Sequence, residues 1–189
     1  MNLLAQATLT RIEEIVGPGN VLTGAEDVAS RQLDGVLPSA VVRPADSAQI
    51  SEVLRVAAAE KFGIIPSGSG TKLGIGSPPK RYDIALDVSR LDRVLAYDPQ
   101  DLTLGVEPGV RIGALLQVLA GQKQMVPLAV PFFERATIGG IVAANSGSPL
   151  RHAYGGIRDF CLGMEFVTGE GFQAKSGGRV VKNVTGYDL

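Results

Sequence analysis

The stretch that decides the fold reads Pro66-Ser67-Gly68-Ser69-Gly70-Thr71-Lys72-Leu73-Gly74-Ile75-Gly76, directly after the apolar run Phe62 to Ile65. A backbone this poor in β-carbons can close around a phosphate and aim several N–H groups at it. Glycine pairs also make ordinary turns, so Gly68-Ser69-Gly70 alone leaves a plain turn standing beside a phosphate cradle. Two familiar cradles fail on context. A dinucleotide fingerprint needs a helix opening directly after the glycines, and Pro78-Pro79 lies where that helix would run. A Walker loop ends in Gly-Lys-Ser/Thr, whereas Lys72 is followed by Leu73 and Gly74. What remains is strand, glycine loop, strand, with a phosphorylated cofactor held by backbone N–H groups alone.

Upstream of the loop, Val41 to Arg43 reads as a strand, and Pro44-Ala45-Asp46-Ser47 opens a helix with apolar face Ile50, Val53, Leu54, Ala57 and Ala58. Asp46 and Gln49 resemble a capping box. With Phe62 to Pro66 as the next strand, Val41 to Pro66 is a β-α-β unit that delivers the chain to the glycines. A helix over residues 2 to 16, ending at Gly17-Pro18-Gly19, leads into it. Downstream, Asp83 to Val88, Arg93 to Tyr97 and Leu102 to Val106 read as short strands separated by turn residues, and Ile112, Leu115, Leu116 and Leu119 as a helix closing at Gly121. Residues 136 to 171 are rich in glycine and small side chains. The expected class is α+β, in two subdomains spanning 1 to 75 and 76 to 189.

With 189 residues, 45% of them hydrophobic, the chain can bury a substantial core. A net charge of -1 and no basic block argue against nucleic acid as a partner. Cys161 is the single cysteine, so no internal disulfide forms; its setting, Phe160-Cys161-Leu162, suits a buried structural thiol and a reducing cytoplasm. The N-terminus carries Glu13 and Glu14 rather than a basic start with a long apolar core, and no run approaches the ~18 apolar residues of a membrane span. Neither secretion nor direct membrane insertion is expected.

The order of motifs resembles the FAD-binding domain of the vanillyl-alcohol oxidase and p-cresol methylhydroxylase superfamily, the p-cresol methylhydroxylase (PCMH) type. The residues that carry the resemblance are Val42-Arg43-Pro44, Ile65 to Thr71, Asp98-Pro99, Val106-Glu107-Pro108-Gly109-Val110, Ala136-Thr137-Ile138-Gly139-Gly140 and Tyr154-Gly155-Gly156-Ile157-Arg158-Asp159. Through Val181-Lys182-Asn183-Val184-Thr185-Gly186-Tyr187-Asp188-Leu189 it is most similar to the FAD-binding subunits of bacterial glycolate oxidases. The resemblance implies FAD between the two subdomains, with the diphosphate in the loop Ser67, Gly68, Ser69, Gly70, Thr71 and Lys72, and with Pro66 beside it among the cofactor-binding residues. Further contacts are implied from Pro131, Thr137, Ile138, Gly139, Gly140, Ala143, Asn145 and Gly147, against the alternative of a glycine-rich sheet turn there. Some superfamily members tether the flavin through a histidine in the loop; Thr71 stands at that position, so FAD is expected to bind non-covalently.

The implied chemistry is oxidation of a small 2-hydroxy acid, formally moving a hydride from the α-carbon to the flavin. The implied partners are a second flavin subunit and an iron–sulfur subunit, in the cytoplasm or peripheral to the membrane through the complex. In the superfamily a cap domain supplies much of the substrate pocket. This chain reaches Leu189 inside what reads as a continuing motif, so it is expected to lack the cap and to be inactive alone, and no catalytic base is assigned. The alternative is a non-catalytic or degenerate fragment with an assembly role. No metal site is expected: His152, the single histidine, has no Cys, Asp or Glu at ligand spacing and reads as a loop or surface residue. Arg158 and Asp159 are expected to pair with one another's neighbours as structural residues rather than to act in catalysis. Lys182 and Tyr187 lie in the element that packs near the flavin in the family, or else at a solvated strand end. Asn183-Val184-Thr185 matches a glycosylation acceptor but carries no weight without a secretion signal.

Overall fold

The computed structural model describes residues 6–178; the expectations for Lys182, Tyr187 and residues 183 to 185 fall outside them. Four strands, β1 (Val21–Leu22), β2 (Ala40–Val42), β3 (Ile64–Ser67) and β4 (Ile84–Asp87), form one sheet in the spatial order β1-β2-β4-β3. β4 runs parallel to both β2 and β3, while β1 pairs antiparallel to β2. The Val41 to Pro66 unit is therefore β-α-β, but its two strands are not neighbours, because β4 inserts between them. The side chains explain the insertion: Ile84, Ala85, Leu86 and Asp87 are all buried, as a strand covered on both faces and both edges requires.

Residue alternation divides this sheet into two faces. Ala40, Val42, Ile84 and Leu86 pack with Ile12 and Val16 of α1 (Gln6–Val16) and with Val53 and Val56 of α3 (Ser47–Glu60). Val41 and Ala85 turn the other way, onto Leu33 and Tyr82, beneath the short helix α2 (Ala25–Ala29). α3 begins as its sequence predicts. The Asp46 carboxylate accepts from the Gln49 N–H at 2.8 Å, and the Gln49 side chain accepts from Ala45 N–H at 2.7 Å. It stops where Lys61 adopts the left-handed conformation, φ 58°.

The second half builds its own core. The hairpin β5 (Val94–Asp98) and β6 (Thr103–Val106) leads into α4 (Ile112–Ala120), whose Ile112, Leu115 and Leu119 are buried with Val110, Leu128, Val130, Ala136, Ile141 and Ile157. Three short helices follow, α5 (Ile138–Ala143), α6 (Arg151–Tyr154) and α7 (Ile157–Phe160), and then the antiparallel hairpin β7 (Gly163–Val167) and β8 (Gln173–Gly177). Thr137 and residues 138 to 143 are thus the N-cap and body of α5 rather than a sheet turn. Among the described residues, contacts between the two halves include Gly68 against Thr137, the Ser69 hydroxyl on the Arg135 carbonyl, the Ser51 hydroxyl on the Gly171 carbonyl, and the Arg90 guanidinium on the Arg43 carbonyl at 2.8 Å. Because β4 belongs to the first sheet, the first sheet extends beyond residue 75.

Candidate functional site

β3 ends at Ser67 and the chain enters irregular turns through residue 77, with no helix after the glycines. Between residues 68 and 72 no backbone N–H donates a hydrogen bond to any described residue; the first donor beyond them is Leu73, to the Gly70 carbonyl at 3.3 Å. Residues 68 to 72 are half-buried, so five successive backbone donors without a protein acceptor are available to a ligand or to water. Two side chains add to it. The Ser67 hydroxyl and the Lys72 ammonium are both shielded from solvent and without a hydrogen-bond partner among the described residues, and Ser67 as a whole is only 8% exposed. Burial pushes the Lys72 pKa below the ordinary lysine value. Gly70 holds φ +71°, a conformation an L side chain rarely takes.

The loop is braced from both sides. Beneath it, the Arg31 guanidinium donates from Nη1 to the Gly68 carbonyl at 2.9 Å and from Nη2 to Asp87 Oδ2 at 2.7 Å. Asp87 is buried at the end of β4, and its other oxygen accepts the Ser89 N–H at 2.9 Å. On the other side Gly68 lies against Thr137: a β-carbon there would come within 2.8 Å of Thr137 Cγ2. Thr137 is the N-cap of α5, its hydroxyl accepting from Gly140 N–H at 3.4 Å. α5 is seated in turn on the turn at 107 to 109, where Gly139 N–H donates to the Pro108 carbonyl at 2.8 Å and a β-carbon on Gly139 would meet Pro108 Cβ at 2.7 Å.

Together these residues border a cleft of about 220 Å³ between the halves, lined by Pro66 through Leu73, Ile75, Thr137, Gly140, Ala143 and Ala144. The seven loop residues expected from the sequence all reach it, with Thr137, Gly140 and Ala143. Pro131, Ile138, Gly139, Asn145 and Gly147 do not line it; Gly139 is small because Pro108 is there. Sequence reasoning missed Arg31 and Asp87, which lie 37 and 20 residues from Gly68 and Ser67 and carry no local pattern. A larger cleft, about 520 Å³, is lined by Val36, Leu37, Ser39, Lys80, Arg81, Tyr82 and Asp83. Its Arg81 is already engaged by Asp83 and lies over the Phe62 ring, 5.7 Å from the centroid.

His152 is exposed on α6, and Asp159 accepts the Gly156 N–H at 2.6 Å at the start of α7. Cys161 is half-buried against the second core, which raises its pKa. No group of three or more His, Cys, Asp or Glu among the described residues could hold a metal ion, and no described helix is long and apolar enough to cross a membrane.

Comparison with known proteins gives this cleft a context. The model of a family described as "FAD binding domain" matches residues 38–176. The chain is 32% identical over 153 residues to "Glycolate oxidase subunit GlcD" of Bacillus subtilis, covering 81% of this chain and 33% of that protein. It is 29% identical over 188 residues to "D-2-hydroxyglutarate dehydrogenase" of Stutzerimonas stutzeri, covering 97% and 40%. Among solved structures, p-cresol methylhydroxylase with substrate bound superposes with TM-score 0.76 at 22% identity, over 96% of this chain and 38% of that one, a likeness of fold. The chain thus spans a third to two fifths of the length of these curated relatives.

Proposed function

The chain belongs to the FAD-binding domain family, and from that premise we propose that it is the cofactor-binding portion of a flavin-dependent oxidoreductase of 2-hydroxy acids. One observation carries the reading: five successive N–H groups without a protein acceptor, a shielded hydroxyl and a shielded unpaired ammonium belong to residues that line one cleft in a chain of this family. The residues fit the group. A diphosphate is the acceptor that residues 68 to 72 lack, and Lys72 supplies the positive charge it needs; each N–H bond to a charged oxygen contributes about 1.5 to 3 kcal/mol. Gly140, Ala143 and Ala144 form the opposite wall without long side chains, so a planar group can lie close to the backbone. Bound FAD would supply the two-electron acceptor, while these residues bind and orient it and exclude water.

The names of the similar proteins, a glycolate oxidase subunit and a D-2-hydroxyglutarate dehydrogenase, support a small 2-hydroxy acid as substrate; the first supports work within a multi-subunit complex, with a second flavin subunit and an iron–sulfur subunit as the finer reading. FAD is held non-covalently, since Thr71 offers a hydroxyl and no imidazole in the loop. We divide the two FAD-binding subdomains after β4, whose central place in the sheet ties it to the first, rather than at residue 75.

Gly70→Glu tests the cofactor reading. It puts bulk and negative charge into the loop at a φ only glycine adopts easily, so titration of the purified chain with FAD, followed by flavin fluorescence, should show binding by the wild type and none by the variant. Equal affinity in both would remove the loop from the site.

A further inference from the structure

We infer that Arg31 is a positioning residue that sets the direction of the Gly68–Ser69 peptide, and so aims the Ser69 N–H at the anionic ligand of the loop; the inference rests on the cofactor reading above. A trans peptide is planar, with its C=O and N–H pointing in opposite directions, and no cis peptide bond occurs among the described residues. Holding the Gly68 carbonyl therefore orients the Ser69 N–H in the same step. Arg31 holds that carbonyl from one side at 2.9 Å. Arg31 does not line the cleft whereas Gly68 and Ser69 do, and by this inference the Ser69 N–H lies on the cleft side.

The arrangement is specific in three ways. First, Arg31 cannot drift: its second nitrogen is tied to Asp87, which is itself buried, bonded to Ser89 N–H, and paired in register with Ser67 across β3 and β4. A planar fork of donors spans both acceptors, which a single ammonium cannot do with the same geometry. Second, no other donor among the described residues reaches that carbonyl, whereas the flanking groups are fixed independently: the Gly68 Cα by Thr137 and the Ser69 hydroxyl by the Arg135 carbonyl. Third, a cation on the carbonyl polarises the peptide and strengthens its N–H as a donor on the other face. Glycine at 68 is what makes the control necessary. Without a β-carbon the peptide has little to prevent it from flipping, and a flip would present a carbonyl oxygen to the anion in place of a donor.

The experiment compares the chain with Arg31→Gln and Arg31→Lys, measuring dissociation constants for FAD, ADP and adenosine, with melting temperatures of the free proteins. Arg31→Gln should weaken FAD and ADP about tenfold, or ~1.4 kcal/mol, and leave adenosine, which has no phosphate, within twofold. Arg31→Lys, which can keep one of the two bonds, should recover part of the loss. If Arg31→Gln does not fold, the same ADP-to-adenosine comparison on Arg31→Lys decides. A lower melting temperature with FAD and ADP affinities unchanged, or an equal loss for ADP and adenosine, would reduce Arg31 to a structural brace and overturn the inference. A wild-type chain that binds neither FAD nor ADP would instead refute the cofactor reading, and this inference with it.

Discussion

Burial lowers the Lys72 pKa because the ammonium loses water without gaining an acidic partner among the described residues. A shielded charge in that condition destabilises the free protein, and an arriving anion removes the deficit. Lys72 therefore opposes folding slightly and favours binding. Lys72→Gln should weaken FAD about 10- to 100-fold, the equivalent of one charge-assisted hydrogen bond, and flatten the dependence of affinity on salt. The melting temperature of the free chain should hold or rise. Calorimetric titration at two salt concentrations, paired with thermal melts, measures both; an unchanged affinity together with a falling melting temperature would mean that Lys72 is a packing residue.

At the scale of elements, the support for the cleft runs through the hairpin β5–β6 and its exit turn. Glu107 accepts the Arg93 N–H at 2.8 Å and two further donors of the Arg93 guanidinium, the closest at 2.7 Å. The hydrogen bonds from the Arg93 side chain are the main cause of a Glu107 pKa held below the ordinary carboxylate value. A depressed folded-state pKa contributes stability that is present above the unfolded pKa and lost as pH falls through the folded one. Urea unfolding from pH 7 down to pH 3 should therefore show the wild type losing its advantage over Glu107→Gln in the acid limb. A constant difference across that range would deny the linkage. The turn 107 to 109 carries Pro108, on which α5 rests, so the effect lies one element away from Thr137.

These elements also mark what was legible. α3 was readable because its apolar spacing and its Asp46 cap agree. The glycine loop was readable because glycine density and Pro78-Pro79 exclude a helix. β7 and β8 were not, because their exposed and half-exposed residues alternate without an apolar stripe, and α2, with no buried residue, left no periodicity to find. β4 reads plainly as a strand, yet its place between β2 and β3 depends on burial on both faces, which one short run does not reveal. Arg31 and Asp87 stand 56 residues apart and meet only once the sheet exists.

In the whole molecule, two of the places where the described halves join are well separated, the loop against Thr137 and Arg135, and the β7–β8 turn against α3. The second is independent of the cleft. Gly171 holds φ +81°, and a β-carbon on it would lie 2.5 Å from the Ser51 carbonyl oxygen, a backbone atom that cannot swing aside. Gly171→Ala combines left-handed strain with this clash, so it should cost roughly 1 to 3 kcal/mol. The loss should be local, because none of the residues involved lines the cleft. FAD affinity should stay within twofold at low temperature, and FAD at a hundredfold excess over its dissociation constant should still return ~2.7 kcal/mol to the variant. Hydrogen exchange should locate the change, with faster exchange in β7, β8 and the Ser51 to Arg55 turn of α3 and unaltered exchange in β2 and β4. A parallel fall in FAD affinity would mean instead that the two junctions act as one, and that the cleft is set by the relative placement of the halves rather than by the braces around Gly68.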